Sequence, residues 1–334
     1  MEAILMHQPG GPEVLRSHTI PTPTLQRDTE LLVRLRAAGV NPVHTKIRQR
    51  GPYHANALPM ILGCDGAGMV EAIGPGVRHY SVGDEVYFCH GGLGAAPGNY
   101  AEYTVIDERW VAPKPTCLSF EQAAAAPLVL IAAWEALYDR ARLGMGQRVL
   151  IHGGAGGVGH VAIQLAKLRE AHVCTTISTE DKANFVTALG VDHAIYYPRI
   201  DFVAGVMNWT GDQGVDVAFD TVGEPVLSRT FAAVKPYGDI VTLLSPTPDT
   251  DWKTARTRNL RVGYELMLTP ALQGLTQAQQ HQVRILQECT RWFDAGKLHI
   301  HVGQTFPLSQ AAEAHRLVES GQVIGKVVLQ MPAG

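Results

Sequence analysis

The sequence predicts an α/β protein in two parts: a β-rich, turn-rich part and a doubly wound part with a parallel sheet. Three observations carry this. A hydrophobic run, Arg148-Val149-Leu150-Ile151-His152, leads through a glycine-rich turn into an apolar-periodic segment. From Gln147 to Met267, strand-length apolar runs alternate with segments of helical period, the pattern of right-handed β-α-β crossovers. Before about residue 122, short alternating strands are separated by clusters such as Pro9-Gly10-Gly11-Pro12 and Gly74-Pro75-Gly76, which suggests a barrel or folded sheet.

In order, the first part reads as strands at 3–7, 31–36, 68–73, 85–88 and 100–105; in the second of these, Leu31, Val33 and Leu35 alternate against Arg34 and Arg36. The texture changes at Phe120, where 121–138 becomes alanine-rich and helical, interrupted at Pro127. Strands are expected at 148–152, 172–176, 194–197, 215–219, 239–244 and 260–267. Helices are expected at 157–168, 180–189, about 201–209 and about 225–234. A long amphipathic helix from about 276 to 295 carries Val283, Ile285, Leu286, Cys289, Trp292 and Phe293. A shorter helix at 308–320 precedes a closing strand at 325–329. These last elements are expected to rejoin the first part, so the expected domains are 1–123 with 268–334, and 124–267.

Composition narrows the function. The 334 residues suffice for two cores, and 46% hydrophobic with 18% charged residues is an ordinary globular balance. A net charge of -3 advertises neither nucleic acid nor an anionic membrane as a partner. The longest apolar run, 123–134, is too short to span a bilayer and contains Pro127, and the N-terminus lacks a leader pattern. The expectation is a soluble, cytoplasmic protein. Five scattered cysteines with no CxxC pair argue for a reducing compartment and against a cysteine-built structural zinc.

The glycine turn is the strongest motif. Gly154, Gly156 and Gly159 have the spacing in which one glycine makes a tight turn, one admits a pyrophosphate and one lets helix pack on strand. Gly153, Gly154, Ala155, Gly156, Gly157, Val158 and Gly159 are therefore candidate cofactor contacts, with the helix N-terminus facing the anion. The alternative is a glycine-rich loop with no ligand. At the end of the next strand, about 20 residues on, NAD-binding proteins place an acid. Here stand Ser178 and, on the following helix, Lys182, a hydroxyl and an ammonium suited to a 2′-phosphate, so NADPH is favoured over NADH. Glu180 and Asp181 lie close by, and Ser178-x-x-Asp181 reads equally as a helix capping box.

Several strings together resemble one family. Gly39-Val40-Asn41-Pro42, Ile61-Leu62-Gly63-Cys64-Asp65-Gly66-Ala67-Gly68, Val82-Gly83-Asp84-Glu85-Val86, Asn99-Tyr100-Ala101-Glu102-Tyr103, Ala133-Trp134-Glu135-Ala136-Leu137, the glycine turn, Asp220-Thr221-Val222-Gly223 and Ile324-Gly325-Lys326-Val327-Val328-Leu329 are similar to the medium-chain dehydrogenase/reductase superfamily, and within it to the zinc-free quinone oxidoreductase branch. The resemblance implies a GroES-like catalytic domain built from both chain ends, a Rossmann domain between, an active site in the cleft, and a homodimer joined through the last Rossmann strand, about 259–267. Zinc-dependent relatives carry a cysteine ligand where this chain has Asn41, and Gly-His-Glu where it has Gly63-Cys64-Asp65. Cys64 and Asp65 could ligate a metal, but the sequence shows no nearby Cys/His set to complete three ligands, so no metal is expected.

Without a Lewis acid, simple alcohols are disfavoured substrates, whereas quinones and α,β-unsaturated carbonyls need only hydrogen-bond donors and a proton. Asn41, Lys46 and Tyr53 are the expected donors; all lie in the loop 41–53, which by resemblance borders the nicotinamide. Asn41 would orient substrate or carboxamide, or simply form a turn before Pro42. Lys46 would bind phosphate, donate a proton or lie idle at the surface. Tyr53 would act as an acid or pack at a rim. In this loop Lys46 replaces a tyrosine frequent in relatives, and His44, a possible proton relay or a structural residue, replaces an aspartate. Ala132 likewise stands for a threonine. His152 and His160, beside the glycine turn, read as structural. Tyr197 resembles the residue that stacks by the adenosine phosphate. Thr221, Leu244 and Ser245 end later strands beside the cofactor, Asp220 stabilises its loop, and Lys326 approaches the cofactor or opens a strand. The leading expectation is an NADPH-dependent, zinc-free reductase of quinones or enones. Its rivals are an enoyl or alkenal reductase and a non-catalytic NADPH-binding sensor or scaffold.

Overall fold

A computed structural model describes residues 1–54 and 56–332. The chain forms two compact units, Met1–Leu128 with Leu268–Gly334, and Val129–Met267. The elements of the first unit's N-terminal part are β1 (Glu2–Met6), β2 (Leu15–Thr19), β3 (Glu30–Val40), α1 (Pro42–Arg50), β4 (Met60–Ile61), β5 (Asp65–Ile73), β6 (Glu85–Cys89), β7 (Tyr103–Asp107), β8 (Ala112–Pro113) and α2 (Phe120–Ala125). After α3 (Pro127–Trp134) and a π-helical turn (Glu135–Arg140), the second unit runs β9 (Arg148–Ile151), α4 (Gly157–Leu168), β10 (His172–Ile177), α5 (Glu180–Ala188), β11 (His193–Tyr196), α6 (Phe202–Thr210), β12 (Val215–Asp220), α7 (Val226–Ala233), β13 (Val234–Thr242), α8 (Trp252–Thr257) and β14 (Arg261–Tyr264). The first unit is completed by α9 (Thr269–Leu272), α10 (Thr276–Asp294), β15 (Val302–Pro307), α11 (Ala311–Glu319) and β16 (Lys326–Gln330).

The first unit holds a small sheet, β2-β1-β4, and a seven-stranded sheet, β15-β16-β3-β5-β6-β8 with β7 also on β3. Its central strand, β3, runs past the expected end at 36 because Ala37 to Val40 are buried on both faces, so alternation gives way to a continuous apolar run. At Gly39 the backbone of α2 comes so close that a Cβ would lie 2.4 Å from the Ala124 carbonyl. The segment 41–53, expected as a loop, is largely the helix α1. Asn41 stands extended before Pro42 at the first helical position, and Gly51, at φ +102, ends the helix.

The second unit is a six-stranded parallel sheet in the order β11-β10-β9-β12-β13-β14. This doubly wound order puts the switch point at the ends of β9 and β12, where ligands bind in such folds. Leu150, Ile195, Phe202, Val206, Leu227 and Phe231 lie in its core between sheet and helices. Among the described residues no helix is long and apolar enough to cross a membrane.

Candidate functional site

β9 delivers His152 and the glycine turn, and the turn's glycines are distinguishable by what crowds them. The left-handed residue is Gly153, at φ +66, rather than Gly154. A Cβ on Gly154 would lie 2.1 Å from Thr175 Oγ1, and one on Gly159 2.2 Å from the Gly153 carbonyl oxygen. These two glycines close the strand-turn-helix packing. Gly156 differs: its Cβ would meet only the Gly153 oxygen, at 3.2 Å, so the space beside it is free for a ligand. Gly156 is also the residue before α4, and no side chain caps that helix. The first N–H groups of α4, on Gly157, Val158 and Gly159, therefore present donors and the positive dipole end to an anion. Ala155 is buried in the turn.

The end of β10 resolves the capping ambiguity. Thr179, not Ser178, is the N-cap of α5, its hydroxyl accepting the Lys182 N–H at 3.2 Å. That leaves Ser178 Oγ to accept from Lys182 Nζ at 3.2 Å. Tyr197 follows β11, its N–H donating to the Ile177 carbonyl at 3.2 Å, with its side chain 55% exposed. Hydroxyl, ammonium and phenol thus share the carboxyl edge of β10 and β11.

Farther along the same edge, Thr221 Oγ1 donates to the His152 carbonyl at 2.8 Å. Asp220 is fully buried and accepts the N–H groups of Val222 and Gly223, each at 3.0 Å, and the Thr242 hydroxyl at 2.8 Å, so it builds the loop. Leu244 is anchored through its N–H on Thr242 Oγ1 at 3.2 Å and lies against Gly223; Ser245 is exposed.

In the first unit, the expected donors separate. Asn41 is buried, its Nδ2 donating to Asp65 Oδ2 at 2.7 Å and its Oδ1 accepting from Lys326 Nζ. Lys326 also donates to the Val40 carbonyl at 3.2 Å and lies 3.9 Å from the Asp65 carboxylate. Both side chains are engaged inside this network. In this arrangement Asn41 precedes Pro42 at the start of α1 and Lys326 opens β16, the positions of the two structural alternatives. Burial pushes the Asp65 carboxyl up to about 6 against the pull of Lys326, Asn41 and the Leu128 N–H, which it accepts at 2.9 Å; burial likewise pushes the Lys326 ammonium down.

Lys46 is half-buried on α1 and finds no partner among the described residues; burial, then the Arg50 guanidinium, holds its ammonium below the ordinary range. Tyr53 follows α1 and is 52% exposed. His44 is fully buried with neither ring nitrogen hydrogen-bonded to a described residue, and burial, then Lys326, pushes it down to about 3, so it is neutral.

The structure supplies one neighbour that the sequence concealed. Cys89, paired with Asp65 across β5 and β6, lies with Cys64 and Asp65 so that their ligand atoms are within 4.8 Å of one another. This donor set does not fit a resident catalytic zinc. Both Asp65 oxygens are engaged and the Lys326 ammonium, itself a cation, adjoins them. His152, Thr176 and Thr230, joined beneath the glycine turn, were likewise not legible as a group; nothing in the spacing of Thr176 and Thr230 marks them.

A doubly wound unit whose first strand leads through a glycine turn into an uncapped helix has the architecture of a dinucleotide-binding domain. Comparison with known proteins agrees. Residues 27–116 match the alcohol dehydrogenase GroES-like domain and residues 189–329 the zinc-binding dehydrogenase family. A 2-haloacrylate reductase of Burkholderia sp is 31% identical, covering 98% of each chain. The crystal structure of Escherichia coli quinone oxidoreductase complexed with NADPH superposes with a TM-score of 0.87 at 29% identity, covering 99% of this chain and 100% of that one. A crystal structure described as an NAD-dependent alcohol dehydrogenase gives 0.90 at 34% identity, with 99% and 100% covered. The chain belongs to the medium-chain dehydrogenase/reductase superfamily and is an oxidoreductase.

Proposed function

We propose that the protein is an NADPH-dependent, zinc-independent reductase of quinones or other electron-poor conjugated carbonyls. The observation that carries this reading is the Lys182 ammonium on the Ser178 hydroxyl at the end of β10, where an NAD-selective site presents a carboxylate. Tyr197 completes the pocket for the adenosine 2′-phosphate, and the α4 N-terminus with the space beside Gly156 receives the pyrophosphate. Thr221, Leu244 and Ser245 line the remainder. The solved Escherichia coli relative with NADPH supports the same choice.

When bound, the nicotinamide supplies the hydride. The protein's part is to position it and to meet charge that develops on the acceptor oxygen. Of the expected donors, Tyr53 and Lys46 have no hydrogen-bond partner among the described residues, the Tyr53 ring exposed and the Lys46 ammonium held below its ordinary range by burial. A positioned donor of this kind contributes on the order of a hundredfold in rate. The Cys64, Asp65 and Cys89 donor set supports zinc independence because its carboxylate serves Asn41 and Lys326. We place the enzyme as a cytoplasmic homodimer joined along β14, the edge strand, where Tyr264 is 52% exposed. A second reading, reduction of an activated carbon-carbon double bond, is favoured by the likeness to 2-haloacrylate reductase.

The test is oxidation of NADPH and NADH against a panel of quinones, enals and 2-haloacrylate, before and after chelation. Turnover with NADPH that survives chelation is expected. Loss of activity with chelator, or equal use of NADH, contradicts the reading. Activity on enals or haloacrylate alone selects the second one.

A further inference from the structure

Beneath the glycine turn a buried histidine is joined to both of its flanks. His152 Nδ1 faces Thr176 Oγ1 at 3.3 Å and His152 Nε2 faces Thr230 Oγ1 at 2.8 Å; histidine and threonines alike are buried. Phe202 meets the ring edge-on, with centroids 4.9 Å apart and planes at 87°. The ring is therefore held from β10, α6 and α7 at once.

The protons in this group have one consistent arrangement. Thr230 Oγ1 donates its only proton to the Val226 carbonyl at 2.7 Å, so toward the histidine it accepts, which assigns the imidazole proton to Nε2. Nδ1 is then an acceptor and takes the Thr176 hydroxyl proton. Thr176 Oγ1 in turn accepts the Gly153 N–H at 3.0 Å. Each member donates once and accepts once, from the phosphate-side turn to α7. Burial pushes His152 down to about 4, which keeps it neutral at physiological pH.

The chain does not stop at Gly153. Its carbonyl, on the next peptide plane, accepts the Gly156 N–H at 2.9 Å, and the Gly156 carbonyl accepts the His160 N–H at 3.1 Å, so the position of Gly153 is passed to the first turn of α4. We infer that His152 is a positioning residue for the dinucleotide: as the Nε2–H tautomer, bridging Thr176 and Thr230, it fixes the Gly153 peptide and thereby aims the anion-facing N–H groups of Gly157, Val158 and Gly159. This rests on the proposed NADPH site and adds to it a residue that touches no ligand.

Thr176→Val and Thr230→Val in the full chain remove one hydroxyl each at near-constant shape. Each is expected to raise the NADPH Kd, read by fluorescence titration, and its KM by about tenfold, the scale of a lost buried hydrogen bond, with kcat at saturation little changed. Thr176→Ser and Thr230→Ser should restore wild-type affinity. Independently of any variant, NMR of 15N-histidine-labelled wild type should show a His152 ring protonated at Nε2 and bare at Nδ1. An unchanged NADPH Kd in the valine variants, with only the melting temperature lowered, or an Nδ1–H tautomer, overturns the inference alone. Wild type that binds neither nucleotide overturns the underlying site, and this inference with it.

Discussion

Lys182 uses both of its nitrogens at the end of β10: its backbone N–H is capped by Thr179, and its ammonium donates to Ser178 Oγ at 3.2 Å. The cap fixes where α5 begins, so the side chain is set beside Ser178 before any ligand arrives. Lys182→Glu should raise the NADPH KM by roughly 10- to 100-fold, the scale of a charge-assisted hydrogen bond lost to phosphate, and leave that for NADH nearly unchanged. Parallel Michaelis curves with the two nucleotides check this; equal changes contradict the phosphate pocket.

Gly156 and Gly159 should separate binding from folding. Gly159→Ala places a methyl 2.2 Å from the Gly153 carbonyl and should lower the melting temperature sharply. Gly156 has φ -79, which alanine adopts without strain, and its Cβ meets only one atom, at 3.2 Å. Gly156→Ala should therefore melt within a few degrees of wild type while losing most affinity for dinucleotide. Calorimetry with a nucleotide titration reads both.

The buried Asp65–Lys326 pair should behave as a unit. Asp65→Asn leaves the ammonium without its counter-charge and should cost about 3 kcal/mol, the usual scale for breaking a buried pair. Combining it with Lys326→Met should recover much of that loss in urea denaturation. Additive losses would show that the two residues act separately.

How far the sequence reveals this depends on the range of the interaction. The apolar period of Val158 to Ala166 and the glycines before it locate α4 at 157–168, where the structure has it, because strand, turn and helix are all local. α1 was hidden because its hydrophobic spacing is weak and Pro42 looks like a loop residue, although Pro at the first helical position is a helix start. β15 was also unread: half-buried and beginning at a register shift, it lacks clean alternation. Engagement of Asn41 by Asp65 and Lys326, and the approach of Cys89 to Cys64, follow from strand pairing across long sequence separations. Composition and spacing hold no record of that.

Three buried histidines, His44, His152 and His315, together with the half-buried His90, should make the fold acid-labile. Burial is the leading cause for each, pushing His44 and His315 down to about 3 and His90 and His152 down to about 4, against an unfolded value of about 6.5. Their stabilisation is full above pH 6.5 and is lost as pH falls from there toward the folded values, since the unfolded chain binds the protons first. Asp65, raised to about 6, acts oppositely and offsets part of the loss between about pH 6 and 4. From pH 7 to 5.5 the net loss should be on the order of 4 kcal/mol. Urea midpoints at the two pH values check it, and a flat profile contradicts neutral buried histidines.

NADPH selectivity rests on the end of β10 acting as a 2′-phosphate site. The most direct measurement is calorimetric titration of the full chain with adenosine 2′,5′-bisphosphate and with adenosine 5′-monophosphate, which differ in that phosphate alone. The bisphosphate should bind at least about tenfold more tightly, and the preference should vanish in Lys182→Glu. Equal affinity for the two nucleotides, or a preference that survives the substitution, would contradict it.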